Sequence, residues 1–282
     1  MKAAIYNLEF LTPCFCAGAN QAKAEIRAST IRGQLRWWFR ALGGTAAEER
    51  SVFGGVAGTA SASSLIIRVL SVKSGPAWPM PSFKINDTES YVWYFAKASG
   101  QGVRWNSGGA IPPKFTLTLS MLQIRPLTSS LQQKLDATVQ IFLQLGALGL
   151  RCTRGLGAFY CSDRPFSAVA FATLVAAGFQ TEIRSGVFAD ANAVAREIGS
   201  LVRGTRETYK WKADKVLSPL GNATPQRQTS AIYFRPVRAA DGKSLQIAVF
   251  EAPHDRVLSP AIEQLPIVGL PGGLHRYTPP RR

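Results

Sequence analysis

Residues 24–40 read AEIRASTIRGQLRWWFR, and the interpretation of the whole chain turns on how this stretch is spaced. At about 100° per residue, Ile31, Leu35, Trp38 and Leu42 fall within about 60° of one another and form a core-facing stripe. Arg32, Arg36 and Arg40 recur every fourth residue and climb a second face. Ser29 and Thr30 stand where an N-cap hydroxyl belongs, and Gly43-Gly44 stand where a helix should stop. The stretch therefore predicts a capped helix with a guanidinium ladder above a buried spine. No acidic residue lies between Ile26 and Leu42 to neutralise that ladder.

A helix start presents free backbone N–H groups, and arginines beside it favour phosphate. A solvated face accounts for one such helix just as simply, so the charge of the whole chain decides. Lys and Arg number 33 against 17 Asp and Glu, a net charge of +16 in 282 residues. That surplus points to a polyanionic partner, nucleic acid or an anionic membrane. Membrane is the weaker reading, because no apolar run reaches the roughly 20 residues of a span. The basic residues are also dispersed, not gathered beside such a run. The start lacks the pattern of a secretory signal, and Cys14, Cys16, Cys152 and Cys161 are too few to staple a chain of 282 residues. A cytoplasmic protein in a reducing compartment is expected. A C-x-C pair with two distant cysteines is not a zinc-knuckle spacing, so neither metal nor another cofactor is expected.

Working outward, residues 3–11 alternate as a strand that Thr12-Pro13 ends. A small-residue loop with Gly18 and Lys23 leads into the arginine helix. Beyond it, residues 45–53 give a helical turn stopped by Gly54-Gly55, and SLIIRVLSV at 64–72 gives a buried strand. Residues 74–113 are rich in Pro, Gly and Ser yet carry many aromatics, Trp78, Tyr91, Trp93 and Trp105 among them. An ordered insertion with a hairpin, projecting from the domain, is expected there. KFTLTLSMLQI at 114–124 alternates as a strand; Leu131, Leu135, Val139 and Phe142 mark a helix. The run GALGLRCTRGLGAFYC at 146–161 then enters a strand through a glycine-rich loop. That loop has no G-K-[ST] and precedes a strand, so it is not a nucleotide-binding motif. Its glycines, Gly155 and Gly157 included, leave room for a polynucleotide backbone with Arg151 and Arg154 on phosphates.

Strand, helix, strand, strand, helix, strand is the order of an α+β, ferredoxin-like (RRM-like) module. Its first and last strands are expected side by side at the sheet's centre, with the Gly18 loop, the helix start and the glycine turn at one end. Residues 163–282 read as a second, more divergent module after a first one over 1–162. It would hold helices at 166–177 and 191–202, a strand at 179–184, and a hairpin around Asp241-Gly242. RGTRETYKWKADK at 203–215 interleaves Lys210 and Lys212 with Trp211, a pattern suited to single-stranded nucleic acid. Arg227 lies in the Pro/Gly loop that follows.

TPCFCAGANQAKAEIRASTIRGQLRWWFRALGG, followed by FGG, resembles the opening signature of RAMP-superfamily subunits of CRISPR effectors. The pattern S-I-[RK]-G-x-[LF]-R is matched from Ser29 to Arg36 with Thr30 inserted. GLRCTRGLGAF resembles the superfamily's glycine loop, and RQTSAIYFRPV a late motif in which Ala231 replaces a Pro. Within the superfamily, the Trp-Trp-Phe-Arg ending is most similar to the first-numbered RAMP subunit of the type III-B, or Cmr, complex. The resemblance implies ferredoxin-like folds assembled along a guide RNA for antiviral defence. It implies a member that caps the filament and touches guide (cr)RNA and the guide–target duplex, with target RNA and other RAMP subunits as partners. Carried over by position, Arg27, Ser29, Arg32, Arg36 and Arg40 meet the guide backbone; Arg151, Arg154, Gly155 and Gly157 meet the same strand from the glycine loop. The insertion corresponds to a hairpin reaching the duplex.

Catalysis is not expected. The two histidines, His254 and His275, sit near the C-terminus and read as surface residues, and Asp87 and Glu89 lie in the insertion. A RAMP-family ribonuclease and a basic RNA-binding protein of ribosome assembly are the alternatives.

Overall fold

The computed structural model describes residues 3–20, 23–56, 60–72, 87–93, 110–210, 220–221 and 229–257, leaving out the side chains of 206–210. The first part of the chain runs β1 (Ala4–Phe10), β2 (Cys14–Phe15), α1 (Ala28–Ala41), α2 (Ala46–Phe53) and β3 (Leu65–Val72). It continues through α3 (Ser90–Trp93), β4 (Ala110–Ile111), β5 (Thr116–Gln123), α4 (Ser129–Leu145) and β6 (Phe159–Cys161). The remainder is α5 (Ala168–Ala176), β7 (Gln180–Ile183), α6 (Ala191–Lys210), β8 (Ile232–Arg238), β9 (Leu245–Glu251) and α7 (His254–Val257).

The larger sheet has the order β3-β5-β1-β6, with every neighbouring pair antiparallel. This is the strand order expected of a βαββαβ unit. The period-two pattern sends Leu8, Phe10, Leu65, Ile67, Leu117, Leu119, Met121, Phe159 and Cys161 into the core. Ile5, Asn7 and Arg68 stay exposed on the other face. One expectation is corrected: the first and last strands are neighbours, but β6 is an edge. The hairpin β3/β5 returns its second strand to the free side of β1, so β1 and β5 make the central pair.

The second sheet has the order β7-β9-β8, also antiparallel. The run β7, α6, β8, β9 repeats the connectivity of β1, α1, β3, β5, each time with the last strand inserted between the other two. The expected β8/β9 hairpin is present, its turn closed by Asp241 Oδ1, which accepts from the backbone N–H groups of Lys243 and Ser244. Pro236 is tolerated because β8 is an edge strand.

Nearly every residue of β8 and β9 is buried, which requires cover on both faces. On one face Ile232, Phe234, Ile247 and Val249 pack on Val194, Ile198 and Val202 of α6. On the other face lies α1: Trp38 contacts Phe250 and Phe179, and Trp37 contacts Tyr233 at a 4.8 Å ring separation. The arginine helix is thus held between the two sheets and contributes to one core shared by both. Between the sheets, Arg238 of the edge strand β8 pairs with Glu9 of β1 and lies over the Tyr160 ring of β6.

The insertion does not project where it is described. Residues 87–93 fold back as a helical turn, burying Val92 and Trp93 against Phe15 and α6. Gly199 permits this, since a Cβ there would strike the Thr88 carbonyl. Among the described residues, Ala110–Ile111 pairs with Cys14–Phe15, and no hairpin lies within the insertion.

Candidate nucleic-acid interface

Helix α1 begins two to three residues earlier than its hydroxyls suggested. Arg27 occupies the N-cap, extended and without a side-chain cap, and Ser29 and Thr30 lie inside the first turn. The backbone N–H groups of Thr30 and Ile31 donate to the Arg27 carbonyl, so the first turn closes on the N-cap backbone with no hydroxyl. The stop falls where expected, with Gly43 at φ +96° and Gly44 packed where a Cβ would strike the Phe39 ring.

Arg32, Arg36 and Arg40 form one wall of a cleft of about 800 Å³. The opposite wall is α2, with Arg50, and the turn carrying Gly54, Gly55, Ser61 and Ser63. Helix α2 is anchored by a capping box: Thr45 Oγ1 accepts from the Glu48 backbone, and Glu48 Oε2 accepts from the Thr45 backbone. Lys134 of α4 donates to Glu48 at 2.6 Å; that bond and the Thr45 backbone N–H hold the Glu48 carboxyl down to about 2.

Glu49, the next residue, turns inward between two rungs of the ladder. Arg36 Nε donates to one of its oxygens and Arg40 Nη1 donates to the other at 2.8 Å. Burial alone pushes this carboxyl's pKa up, but the hydrogen bonds from Arg40 and Arg36 prevail and hold it below its ordinary value. The expectation that the ladder has no acidic partner is therefore corrected: none lies along the helix, yet one arrives from the helix after it. Arg36 and Arg40 keep 39% and 45% of their side-chain exposure. Among the described residues Arg32 and Arg50 carry no ion pair. Four guanidinium groups face the cleft against one carboxylate.

The approach to α1 is closed by the Ala17–Ala24 bridge, which seats Gly18 where a Cβ would strike the Glu25 carboxylate. Lys23, Arg27 and Ser29 are exposed there, and Arg27 lies 3.8 Å from Glu25. Residues 14–16 link this approach to the glycine loop: Glu25 N–H donates to the Cys16 carbonyl, and Leu150 N–H to the Phe15 carbonyl. The Gly18 loop, the helix start and the glycine turn are thus joined, as expected.

The glycine loop itself faces inward. Arg154 is 4% exposed, donating to the Leu220 carbonyl at 2.7 Å and to Ser230 Oγ at 3.3 Å. Gly155 lies where a Cβ would strike Ile198, and Gly157, at φ +65°, where it would strike the Leu148 carbonyl. Thr12 Oγ1 donates to the Gly155 carbonyl and accepts from Ala158 N–H. Arg154 and Gly155 are taken up by the second half of the chain, Arg154 with Leu220 and Ser230 and Gly155 against Ile198, while Gly157 is packed on the loop's own Leu148 carbonyl. Arg151 alone of this group remains half-exposed, at φ +58°.

The RAMP superfamily profile matches residues 7–160, which take in the arginine helix, both walls of the cleft and most of the glycine loop. The chain belongs to the RAMP superfamily. A relative described as CRISPR system Cmr subunit Cmr1-2, from Pyrococcus furiosus, is 28% identical over 183 residues, covering 56% of this chain and 94% of that protein. In three dimensions this RAMP chain is similar to Cmr1 from Pyrococcus furiosus in its apo form. The TM-score is 0.56 at 17% identity, over 89% of this chain and 88% of that one. It is also similar to a chain of the type III-B Cmr-beta complex bound to cognate target RNA, with a TM-score of 0.51 at 10% identity, over 90% and 94% of the two chains. At those identities the structural likenesses establish the RAMP fold.

Helix α6 of this RAMP chain extends to Lys210, past the expected end at 202. Trp211, Lys212, Arg227 and His275 lie outside the described residues. His254 is not a surface residue: it is 3% exposed, with Nε2 2.7 Å from Glu251 Oε1. It follows directly on β9, where the chain turns into the shared core. Among the described residues no group of three His, Cys, Asp or Glu side chains could hold a metal ion. No helix among them is long and apolar enough to cross a membrane. Sequence reasoning missed Glu49 and Arg50; the Thr45-x-x-Glu48 box was legible and, by fixing the start of α2, fixes the face each one takes.

Proposed function

We propose that this RAMP chain is an RNA-binding structural subunit of a type III-B CRISPR effector, capping the filament of subunits and contacting the guide and its duplex with target RNA. The observation that carries the proposal is the cleft between α1 and α2, where Arg32, Arg36, Arg40 and Arg50 outnumber Glu49. Successive ladder residues rise about 6 Å along the helix axis, a step comparable to that between neighbouring phosphates of one strand. Among the described residues the cleft's one aromatic, Phe53, is buried, so this wall offers charge to a backbone and no exposed ring for a base to stack on. We assign Lys23, Arg27 and Ser29 at the helix start, all exposed, and the half-exposed Arg151 of the glycine loop to further contacts with the same RNA.

The relative's description as a Cmr subunit, and that of a fold neighbour as bound to target RNA, support the same reading. We read the chain as two modules, 1–162 and 163–282, on the repeated strand connectivity. Its place of action is the cytoplasm, with other RAMP subunits as neighbours. The proposal contains no cleavage step, and His254, buried against Glu251, is not presented to a substrate.

The experiment is to express the tagged chain with its effector partners and sequence the RNA that co-purifies. Guide RNA together with the other subunits is the expected result. Ribosomal RNA in its place would overturn the proposal in favour of a ribosome-assembly role.

A further inference from the structure

Among the described residues Glu49 is the single acidic side chain in the wall of the arginine cleft, and its placement is more constrained than charge balance requires. Its side chain is 6% exposed, with one oxygen on Arg36 and the other on Arg40. Three tethers hold it there. The capping box fixes the first turn of α2, the Lys134–Glu48 pair ties that turn to α4, and Ser64 donates through N–H to Val52 and through Oγ to Ser51, pinning the end of α2 to β3.

A guanidinium presents five N–H donors in one rigid plane. Glu49 takes one donor from each arginine, Nε–H of Arg36 and an Nη1–H of Arg40, so each keeps four others while its plane is fixed. A long side chain that is free in solution loses its rotamer freedom when it grips a ligand; one already held has lost it beforehand. The neutralisation reading runs the opposite way, because a carboxylate in a phosphate site repels the phosphate.

We infer that Glu49 is a positioning residue, presenting Arg36 and Arg40 as a fixed pair, one helical turn apart, to adjacent phosphates of a single RNA strand. This inference rests on the RNA-binding reading of the cleft. Arg32 and Arg50 supply charge without such bracing, which divides the cleft into a rigid half and an adaptable half.

The test uses the full chain and a single-stranded RNA oligonucleotide, with binding followed by fluorescence anisotropy across a range of salt. Glu49→Gln raises the charge of the cleft by one, so charge counting alone predicts tighter binding. Positioning predicts the reverse, about tenfold weaker binding, the equivalent of one well-made charge-assisted contact, with a shallower salt dependence. In an Arg36→Ala/Arg40→Ala background, where nothing is left to position, the same substitution is expected to weaken binding no further and to leave only the small gain from the lost negative charge. Binding by Glu49→Gln as tight as or tighter than wild type overturns the inference, and so does a loss that persists undiminished in the double-alanine background. Where the variant melts too low to assay, the Arg36 Nε–H resonance of the wild-type protein gives the answer without RNA. A slowly exchanging, downfield-shifted signal is expected, and one indistinguishable from Arg32 overturns the inference. Wild-type protein that shows no salt-dependent RNA binding while keeping that protected Arg36 signal would instead remove the RNA reading.

Discussion

The arginine helix and the glycine loop have the same ingredients in sequence, arginines beside glycines in a chain short of acids, yet they do opposite things in three dimensions. The helix keeps its guanidinium ladder on an open cleft, while the loop buries Arg154 under Leu220 and Ser230 and spends its glycines on close contact with Leu148 and Ile198. The difference lies in what docks on each. The second sheet closes over the loop and over the tryptophan face of α1, and leaves the ladder face uncovered. Arginine and glycine together mark a close approach; whether the approaching group is nucleic acid or the protein's own backbone is set by the partner layer.

The sharpest way to break this contrast is to add one methyl group to each region. Gly157→Ala combines a left-handed backbone with a clash against the Leu148 carbonyl, and a loss of about 3 kcal/mol or more is expected in denaturant melts. Gly33→Ala on α1, where a Cβ meets nothing, is expected to stabilise by about 0.5–1 kcal/mol. Equal effects would mean that the loop is not the tightly docked region. Next in size, Arg154→Ala removes two buried hydrogen bonds and is expected to cost about 1–3 kcal/mol, with the salt dependence of RNA binding unchanged.

A pH titration sharpens the comparison from the helix side. The folded-state pKa of Glu49 is depressed, so the stability it contributes is complete above its unfolded value of about 4.3. It is lost as pH falls below that value and through the folded one. Arg36→Ala/Arg40→Ala removes the depression, and its melting temperature is expected to vary less than the wild type's over that acidic window. An identical pH profile for the two proteins would show that Glu49 is not held by the ladder.

Much of this was legible in the residues. The spacing of Ile31, Leu35 and Trp38, the alternation of β5, and the Asp241-Gly242 hairpin are local periodicities, and local periodicity survives translation into structure. What escaped is long-range. Nothing along the Trp-Trp-Phe-Arg ending says that Trp37 and Trp38 grip Tyr233 and Phe250 of a second sheet far along the chain. The continuous apolar run Ile247–Phe250 in β9 was the available sign that this sheet is covered on both faces. Glu49 escaped for the related reason that its pairing crosses from one helix to the next, 9 and 13 residues away from its arginines. Arg154 is drawn to phosphate in the sequence because the surplus of positive charge invites every arginine to be so assigned, whereas the fold gives it Leu220 and Ser230 as partners. A buried arginine satisfied by neutral acceptors contributes to that surplus without touching the partner.

The most direct measurement is therefore the salt dependence of RNA affinity for three folded proteins: wild type, Arg32→Ala and Arg154→Ala. Each phosphate contact contributes about one unit to the slope of log K against log salt. The account predicts that Arg32→Ala lowers the slope by about one and that Arg154→Ala leaves it where it was. A slope unmoved by Arg32→Ala but reduced by Arg154→Ala would place the RNA on the wrong side of the molecule for everything argued from the cleft.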